Sequence, residues 1–327
     1  MGDSHIVQLF HQLDEVIDRI IHENGALYLD CLADILQYIH LGEMETIKVD
    51  DSLTDLRAHF LNEKYSKQEI HRAIQLALIK GMKDETQSNH RMTPESIALF
   101  FSYLIQKLVG EKDNITIFNP ASGTGNLLHT VIGQLPMETR GFASEIDEIL
   151  IRISVMTANI LKQNIDYFHQ DSLRPLLLDP VDVTIADLPV GYYPDEDRAA
   201  DFHLQAEEGM SYAHHLFIEQ GLTYTKPGGY LLFLIPEALF TSDQAGQLQE
   251  YLHEQAHIIG VFQLADSTFK GKEHKKSIFV LRKKAADSKN VKQPLLVMLP
   301  PLKETNAMED ILGQMNEWFE NERNTLT

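Results

Sequence analysis

A chain of 327 residues with 43% apolar side chains has enough material for one large domain and a smaller companion built around buried cores. No apolar run reaches the roughly 18 residues that a membrane helix needs, and the opening MGDSHIVQLF lacks a basic-then-apolar leader, so a cytoplasmic location with no membrane partner is expected. The lone cysteine, Cys31, excludes an intrachain disulfide and a zinc site of paired cysteines, while 28 basic against 48 acidic side chains give a formal charge of −20 that disfavours duplex DNA as a partner of the chain alone.

In chain order, Ile6, Leu9, Phe10, Leu13, Ile17 and Ile20 recur at helical spacing, and Leu32, Ile35, Leu36 and Ile39 repeat the pattern. Cys31 falls on this second apolar helix, as a small core residue. A third helix is predicted from Gln68 to Lys80 through Ile70, Ile74, Ala77 and Leu78, with Gly81 placed to end it. Residues 1–88 therefore form an all-helical N-terminal domain. The polar stretch KDETQSNH, Lys83 to His90, is the linker candidate before a second domain over residues 89–327.

From there short β-rich runs alternate with helical patterns, the signature of βαβ units. The predicted strands are Ile115–Asn119, Arg140–Ser144, Asp166–His169, Val181–Asp187, Gly229–Pro236, Ile258–Leu264 and Ser277–Arg282. The expected fold is α/β, a doubly wound, seven-stranded, mostly parallel sheet. After the polar stretch Ala285 to Gln293 come a short apolar run, PLLVMLP, and a terminal helix with Met308, Ile311, Leu312, Met315 and Phe319 on one face. Trp318 beside them is a packing anchor.

The stretch IFNPASGTGNLL, Ile117 to Leu128, is a strand that stops at a glycine turn and restarts as a helix. Gly123 and Gly125 let backbone approach a ligand closely at a helix amino terminus. A dinucleotide fingerprint would need a third glycine where Leu128 stands, and no Gly-Lys-Ser/Thr follows to make a phosphate loop. Glu145, 22 residues past Gly123, ends the second strand near the spacing of an acid that grips ribose hydroxyls. Asp171 in HQDSL and Asp187 in ADLPVGYY end the next two. Each could be a cap or turn residue by itself; together they line one crevice and suit a cationic nucleoside better than a pyrophosphate.

The succession RMTPESIALFFSYLI, NPASGTGNLL, GFASEID, HQDSL, ADLPVGYY, HHLFIEQGLTYTKPGGYLLFLIPEALF and KKSIFVLRK resembles the class I S-adenosylmethionine-dependent methyltransferases, with their Rossmann-like fold. Within them it is most similar to DNA adenine N6 methyltransferases of restriction-modification subunits, over Arg91 to Lys284. The resemblance implies S-adenosylmethionine as cofactor, with Met92, Thr93 and Pro94 at its methionine end and Asn119, Ala121, Ser122, Gly123, Thr124, Gly125, Asn126 and Leu127 beneath it. It makes Glu145 the ribose acid, Ile146 one side of the adenine slot, and Asp171 the acceptor for the adenine amino group, with Ser172 and Leu173 beside it. Thr93 and Pro94 also read as the cap and first residue of a helix. The implied activity is transfer of a methyl group to an exocyclic amine in DNA.

In the family's catalytic phrase a side-chain acceptor, the next backbone carbonyl and an aromatic ring hold an extruded base. Here it is Asp187, Leu188, Pro189 and Val190. Val190 forfeits a stack worth about 1–3 kcal/mol, for which Tyr192 or Tyr193 could substitute. Asp195, Glu196, Asp197, Asp201, Glu207 and Glu208 face only Arg198 in the following loop, which opposes a phosphate backbone. The stretch after Lys284 is short for a target-recognition domain, so specific DNA methylation is expected to need a protein partner. Lys270, Lys272, Lys275, Lys276, Arg282, Lys283 and Lys284 form a basic run, either a solvated loop and strand end or a nucleic-acid patch. His214, His215 and His274 have no metal-ligand spacing, so no metal is expected. The alternatives to adenine transfer are methylation of a protein or small amine, and a regulatory protein that keeps the cofactor without turnover.

Overall fold

The computed structural model describes residues 2–43, 49–84, 92–268, 275–286 and 288–326. Four helices come first: α1 (Gly2–Asn24), α2 (Tyr28–Leu41), α3 (Asp51–Phe60) and α4 (Lys67–Asp84). The apolar stripes predicted for α1 and α2 bury Leu9, Leu13, Ile17, Leu32, Ile35 and Ile39 completely. Helix α3 was not anticipated. Asp50 caps it by accepting from the Leu53 N–H, and Leu53, Leu56 and Phe60 supply its buried face. Helix α4 runs straight through Gly81: a Cβ there would lie 2.6 Å from Leu29 Cδ2, so this glycine admits α2 at close range and does not end the helix. Cys31 is buried in α2 as expected. Lys83 and Asp84 are still helical, and the rest of the linker candidate, with the boundary at 88, lies outside the described residues.

Next come α5 (Glu95–Val109), β1 (Asn114–Asn119), α6 (Asn126–Gln134), β2 (Glu138–Glu145), α7 (Glu148–Leu161), β3 (Ile165–His169), β4 (Val181–Asp187), the single turn α8 (Glu196–Ala199), α9 (Ala213–Thr223), β5 (Thr225–Pro236), α10 (Ala245–Gln255), β6 (Ala256–Gln263), β7 (Lys276–Lys283), β8 (Leu295–Met298) and α11 (Thr305–Leu326). The strands form one sheet in the order β3-β2-β1-β4-β5-β7-β6-β8, with only β7 antiparallel to its neighbours. All seven predicted strands are present, and the eighth corrects the count. The apolar run after Pro294 pairs parallel with β6 at the sheet edge, but at four residues it is too short to show a period.

Helices α5, α6 and α11 close a core on one face of the sheet, and α9 and α10 close another. Trp318 packs edge-on against Phe319 and donates its indole N–H to Gln293 O at 2.9 Å, the anchor role expected of it. The helical unit does not stand apart: Ile153, Ile160 and Leu161 of α7 complete its core, and Arg152 pairs with Asp34 at 2.6 Å. No helix among the described residues is long and apolar enough to cross a membrane.

Candidate active site

Because β3, β2, β1 and β4 run parallel and side by side, their carboxyl ends share one rim. Asp171, Glu145, the loop after Asn119 and Asp187 follow one another along it. All three residues are partly exposed, the Asp187 side chain by 19%, so the rim is not sealed by packing. This is the crevice where open α/β sheets bind.

The two glycines of the turn have different duties. Gly123 has φ +52 and a Cβ on it would meet nothing within 4 Å, so its backbone borders open space. Gly125, at φ +77, is the N-cap of α6, and a Cβ there would lie 2.1 Å from Ser154 Oγ and 2.6 Å from His129 Cε1. Gly125 thus also serves packing between α6 and α7. Ser122 Oγ, between Ala121 and Gly123, is buried without a partner. Asn119 Oδ1 accepts from the Ala121 N–H at 3.1 Å and fixes the start of the turn.

Glu145 is held by the turn it serves. Its Oε2 accepts from the Gly123 N–H at 2.7 Å, and its Oε1 from the N–H groups of Ile146 and Asp147 at 2.9 and 3.0 Å. One lone pair on Oε2 remains for a ligand hydroxyl. Ile146 is 68% exposed, an apolar side chain left beside the rim as an adenine wall would be. Asp171 Oδ1 accepts from the Leu173 N–H at 2.9 Å, and Oδ2 takes the hydroxyl of Tyr193. Burial, and then Asp171, push the Tyr193 phenol up. Tyr193 therefore orients the Asp171 carboxylate and is not free to replace a stacking wall.

At Asp187 the structure adds a partner that the sequence did not disclose. Oδ2 accepts from Thr93 Oγ1 at 3.1 Å, and Oδ1 is taken by the ammonium of Lys276. The register explains this: Asp187 pairs with Leu234 on β5, Leu234 with Ile278 on β7, and antiparallel β7 begins at the rim where the parallel strands end. Burial pushes the Asp187 carboxyl up from its ordinary 3.8, opposed by Lys276 and Thr93. Thr93 spends its hydroxyl on Asp187, and Pro94 occupies the N-cap of α5 without a side-chain bond, so the capping role predicted for Thr93 is not used.

Leu188 is buried and its N–H bonds Leu234 O at 3.1 Å, with Pro189 half-buried after it. Val190 is 57% exposed. Tyr192 stacks on Tyr212, ring centroids 4.8 Å apart and planes 15° apart, and remains 55% exposed. In the acidic loop Asp195 pairs with Arg174 and Asp201 with Arg198, both at 2.6 Å.

Several of the residues expected at the cofactor also belong to the cores or to the turn's own bonds. Leu127 and Leu173 are buried in the two sheet cores and Met92 packs against the helical core. Ser172 Oγ holds Pro120 O, and Thr124 is buried at the turn. Asn126, also buried, reaches Thr93 O at 2.7 Å. The basic run is spent internally: Lys275 on Asp266, Lys276 on Asp187, and Arg282, Lys283 and Lys284 on backbone carbonyls; Lys270, Lys272 and His274 lie outside the described residues. His214 and His215 are buried at the start of α9, and burial lowers both to about 4. A surface cavity of about 530 Å³ over Phe202, His203 and Gln247 contains none of the predicted site residues. No metal-ligand group of His, Cys, Asp or Glu occurs among the described residues.

The chain matches the N-6 DNA Methylase family over residues 82–319 and the YtxK N-terminal helical domain family over residues 7–82. It is 43% identical over 329 residues to the uncharacterized protein YtxK of Bacillus subtilis (strain 168), covering 99% of this chain and 100% of that one. A "putative class I S-adenosylmethionine-dependent methyltransferase" from Listeria monocytogenes superposes with a TM-score of 0.89 at 38% identity, over 97% of this chain and 99% of that one. The type I restriction-modification methyltransferase subunit from Streptococcus thermophilus gives 0.63 at 14% identity, over 96% and 74%, a likeness of fold.

Proposed function

The chain belongs to the N-6 DNA Methylase family, and on that footing we propose that it binds S-adenosylmethionine along the carboxylate rim and transfers the methyl group to an amine, the N6 of adenine in nucleic acid being the acceptor that family membership favours. One observation carries this: Glu145, Asp171 and Asp187 stand on one open rim around Gly123, whose missing Cβ leaves room for a ligand. The residues fit the cofactor. Glu145 has a lone pair for a ribose hydroxyl, Ile146 an apolar wall, and Asp171 an acceptor oriented by Tyr193.

The cofactor supplies an electrophilic methyl group carried on a sulfonium. The protein's task is then mainly orientation, since an in-line displacement needs the amine and methyl carbon aligned. An exocyclic amine is a poor nucleophile because its lone pair is delocalised. Asp187 Oδ1 and the Leu188 carbonyl accept its two N–H bonds and stabilise the positive charge that develops on nitrogen. Thr93 holds Oδ2 meanwhile, so the carboxylate keeps one orientation. With Val190 in place of an aromatic, the exposed Tyr192, stacked on Tyr212, offers a flat apolar surface in this loop.

Lys276 favours an alternative. Its ammonium already occupies Asp187 Oδ1, and Glu196, Asp197, Glu207 and Glu208 repel phosphate. Both features suit a protein or small amine, or a cofactor-binding regulator without turnover, better than duplex DNA bound by this chain alone; a protein partner would supply target recognition. Titration calorimetry with S-adenosylmethionine and its demethylated product tests the binding step, and absence of binding removes the proposal. Labelled-methyl transfer to DNA, RNA and lysate separates the acceptors: labelled DNA supports adenine transfer, a labelled protein or metabolite the other amines, and no product with intact binding the regulator.

A further inference from the structure

Three hydrogen bonds, two of them buried and the third part-buried, join the helical unit to Asp187. Gln75 of α4 donates Nε2–H to Asn126 Oδ1 at 2.7 Å, Asn126 donates Nδ2–H to Thr93 O at 2.7 Å, and Thr93 donates its hydroxyl to Asp187 Oδ2 at 3.1 Å. Gln75, Asn126 and Thr93 are all buried, at 6, 3 and 7% exposure. Asn126 begins α6, but the N-cap is Gly125 and makes no side-chain bond, so the Asn126 amide is spent on this bridge. Its two ends are not interchangeable. Thr93 O can only accept, so Asn126 must turn its amide nitrogen that way, and its oxygen then requires a donor on the other side. Gln75 is that donor. It lies within the match to the helical family, outside the match to the methylase family.

Resting on the cofactor reading above, we propose that Gln75 is a positioning residue of the cofactor site: through Asn126 it fixes Thr93 and the orientation of Asp187, so that the helical domain completes the methionine and sulfonium end of the pocket. Polar chains of this kind hold one geometry only while every member is satisfied. The adenosine end stands on different elements, Glu145 after β2 and Asp171 after β3, neither of which touches Gln75 in the bonds described. Loss of Gln75 should therefore be felt at one end of the ligand and not the other.

The experiment compares S-adenosylmethionine with adenosine, by titration calorimetry and by displacement, on the full-length wild type, Gln75→Met and Gln75→Glu. Methionine keeps the side-chain length and leaves Asn126 Oδ1 buried without a donor; glutamate, titrated at a pH high enough to keep it ionised, only accepts, so it turns the Asn126 amide over and sets oxygen against Thr93 O. In both variants the Kd for S-adenosylmethionine should rise about tenfold, the order expected for one buried unsatisfied acceptor, while the Kd for adenosine stays within about twofold, within the few tenths of a kcal/mol expected of a site that shares no partner with Gln75. Unchanged binding of both ligands overturns the proposal, and so does equal weakening of both, which marks general loosening. Loss of cooperative melting in both variants overturns it too, since Gln75 would then be needed for the fold and not for position. A wild type that binds no S-adenosylmethionine removes the cofactor reading and this inference together, an outcome distinct from a binding wild type with unaffected variants.

Discussion

Replacing Lys276 by Met should cost about 3 kcal/mol of stability at pH 8, and much less in acid. The side chains of Lys276 and Asp187 are 20 and 19% exposed. Removing one partner of a buried pair costs about 3–5 kcal/mol, and the residual solvent contact selects the lower end. In the variant, Asp187 keeps the burial that raises its pKa and loses Lys276, the largest influence lowering it. A carboxylate whose folded pKa is raised is favoured in the folded state below its unfolded pKa, and that advantage is lost as pH rises toward the folded value. The deficit of the variant relative to wild type should therefore shrink by about 1.4 kcal/mol for each pH unit below its folded Asp187 pKa. Urea unfolding of both proteins at pH 8.0 and 5.0, compared as a difference so that the histidines cancel, measures it. Lys276→Met/Asp187→Asn should return to within about 1 kcal/mol of wild type, because no unpaired charge is left. A single-variant cost below about 1 kcal/mol, the level of an exposed pair, and equal at both pH values would refute the burial of this pair.

Glu145→Ala and Asp171→Ala should each weaken S-adenosylmethionine binding by at least about 1 kcal/mol in calorimetry, the value of one hydrogen bond to a charged acceptor. Gly125→Ala should destabilise by about 2–4 kcal/mol in urea, since its Cβ overlaps Ser154 and His129 at a left-handed φ. Gly123→Ala should cost only about 1 kcal/mol of stability and yet impair cofactor binding, because its Cβ enters the open space beside the turn. Burial lowers His71 to about 4 and His129 well below 6.5, alongside His214 and His215. Groups with depressed folded pKa values contribute stability above the unfolded value of 6.5 that is lost as pH falls toward 4. Stability should therefore fall as pH drops below 6.5, by up to about 1.4 kcal/mol per pH unit for each histidine that stays neutral in the fold, with Asp187 opposing by one proton, and urea midpoints at pH 7.5, 6.0 and 5.0 would reveal it.

Local pattern was enough for the fold class. Period-2 and period-3.6 apolar runs marked seven strands and the main helices, because burying an alternating or helical face is a demand that neighbouring residues express together. The turn at Gly123 and the acids Glu145, Asp171 and Asp187 were legible for the same reason: each sits at the end of a strand that the sequence already outlines, and parallel strands bring their ends to one rim. What stayed hidden depends on distant pairing. Lys276 looked like one more lysine in a basic run, and only the antiparallel placement of β7 beside β5 sets it on Asp187. Gln75 and His71 left a fainter mark, two polar residues four apart on the buried face of α4, but nothing local says that Asn126 waits opposite. Tyr193 and Tyr192 are adjacent in sequence, yet one is tied to Asp171 and the other stacks on Tyr212. Alternation decides which face a residue takes; which group it meets there is decided by elements whose order along the chain is not their order in space.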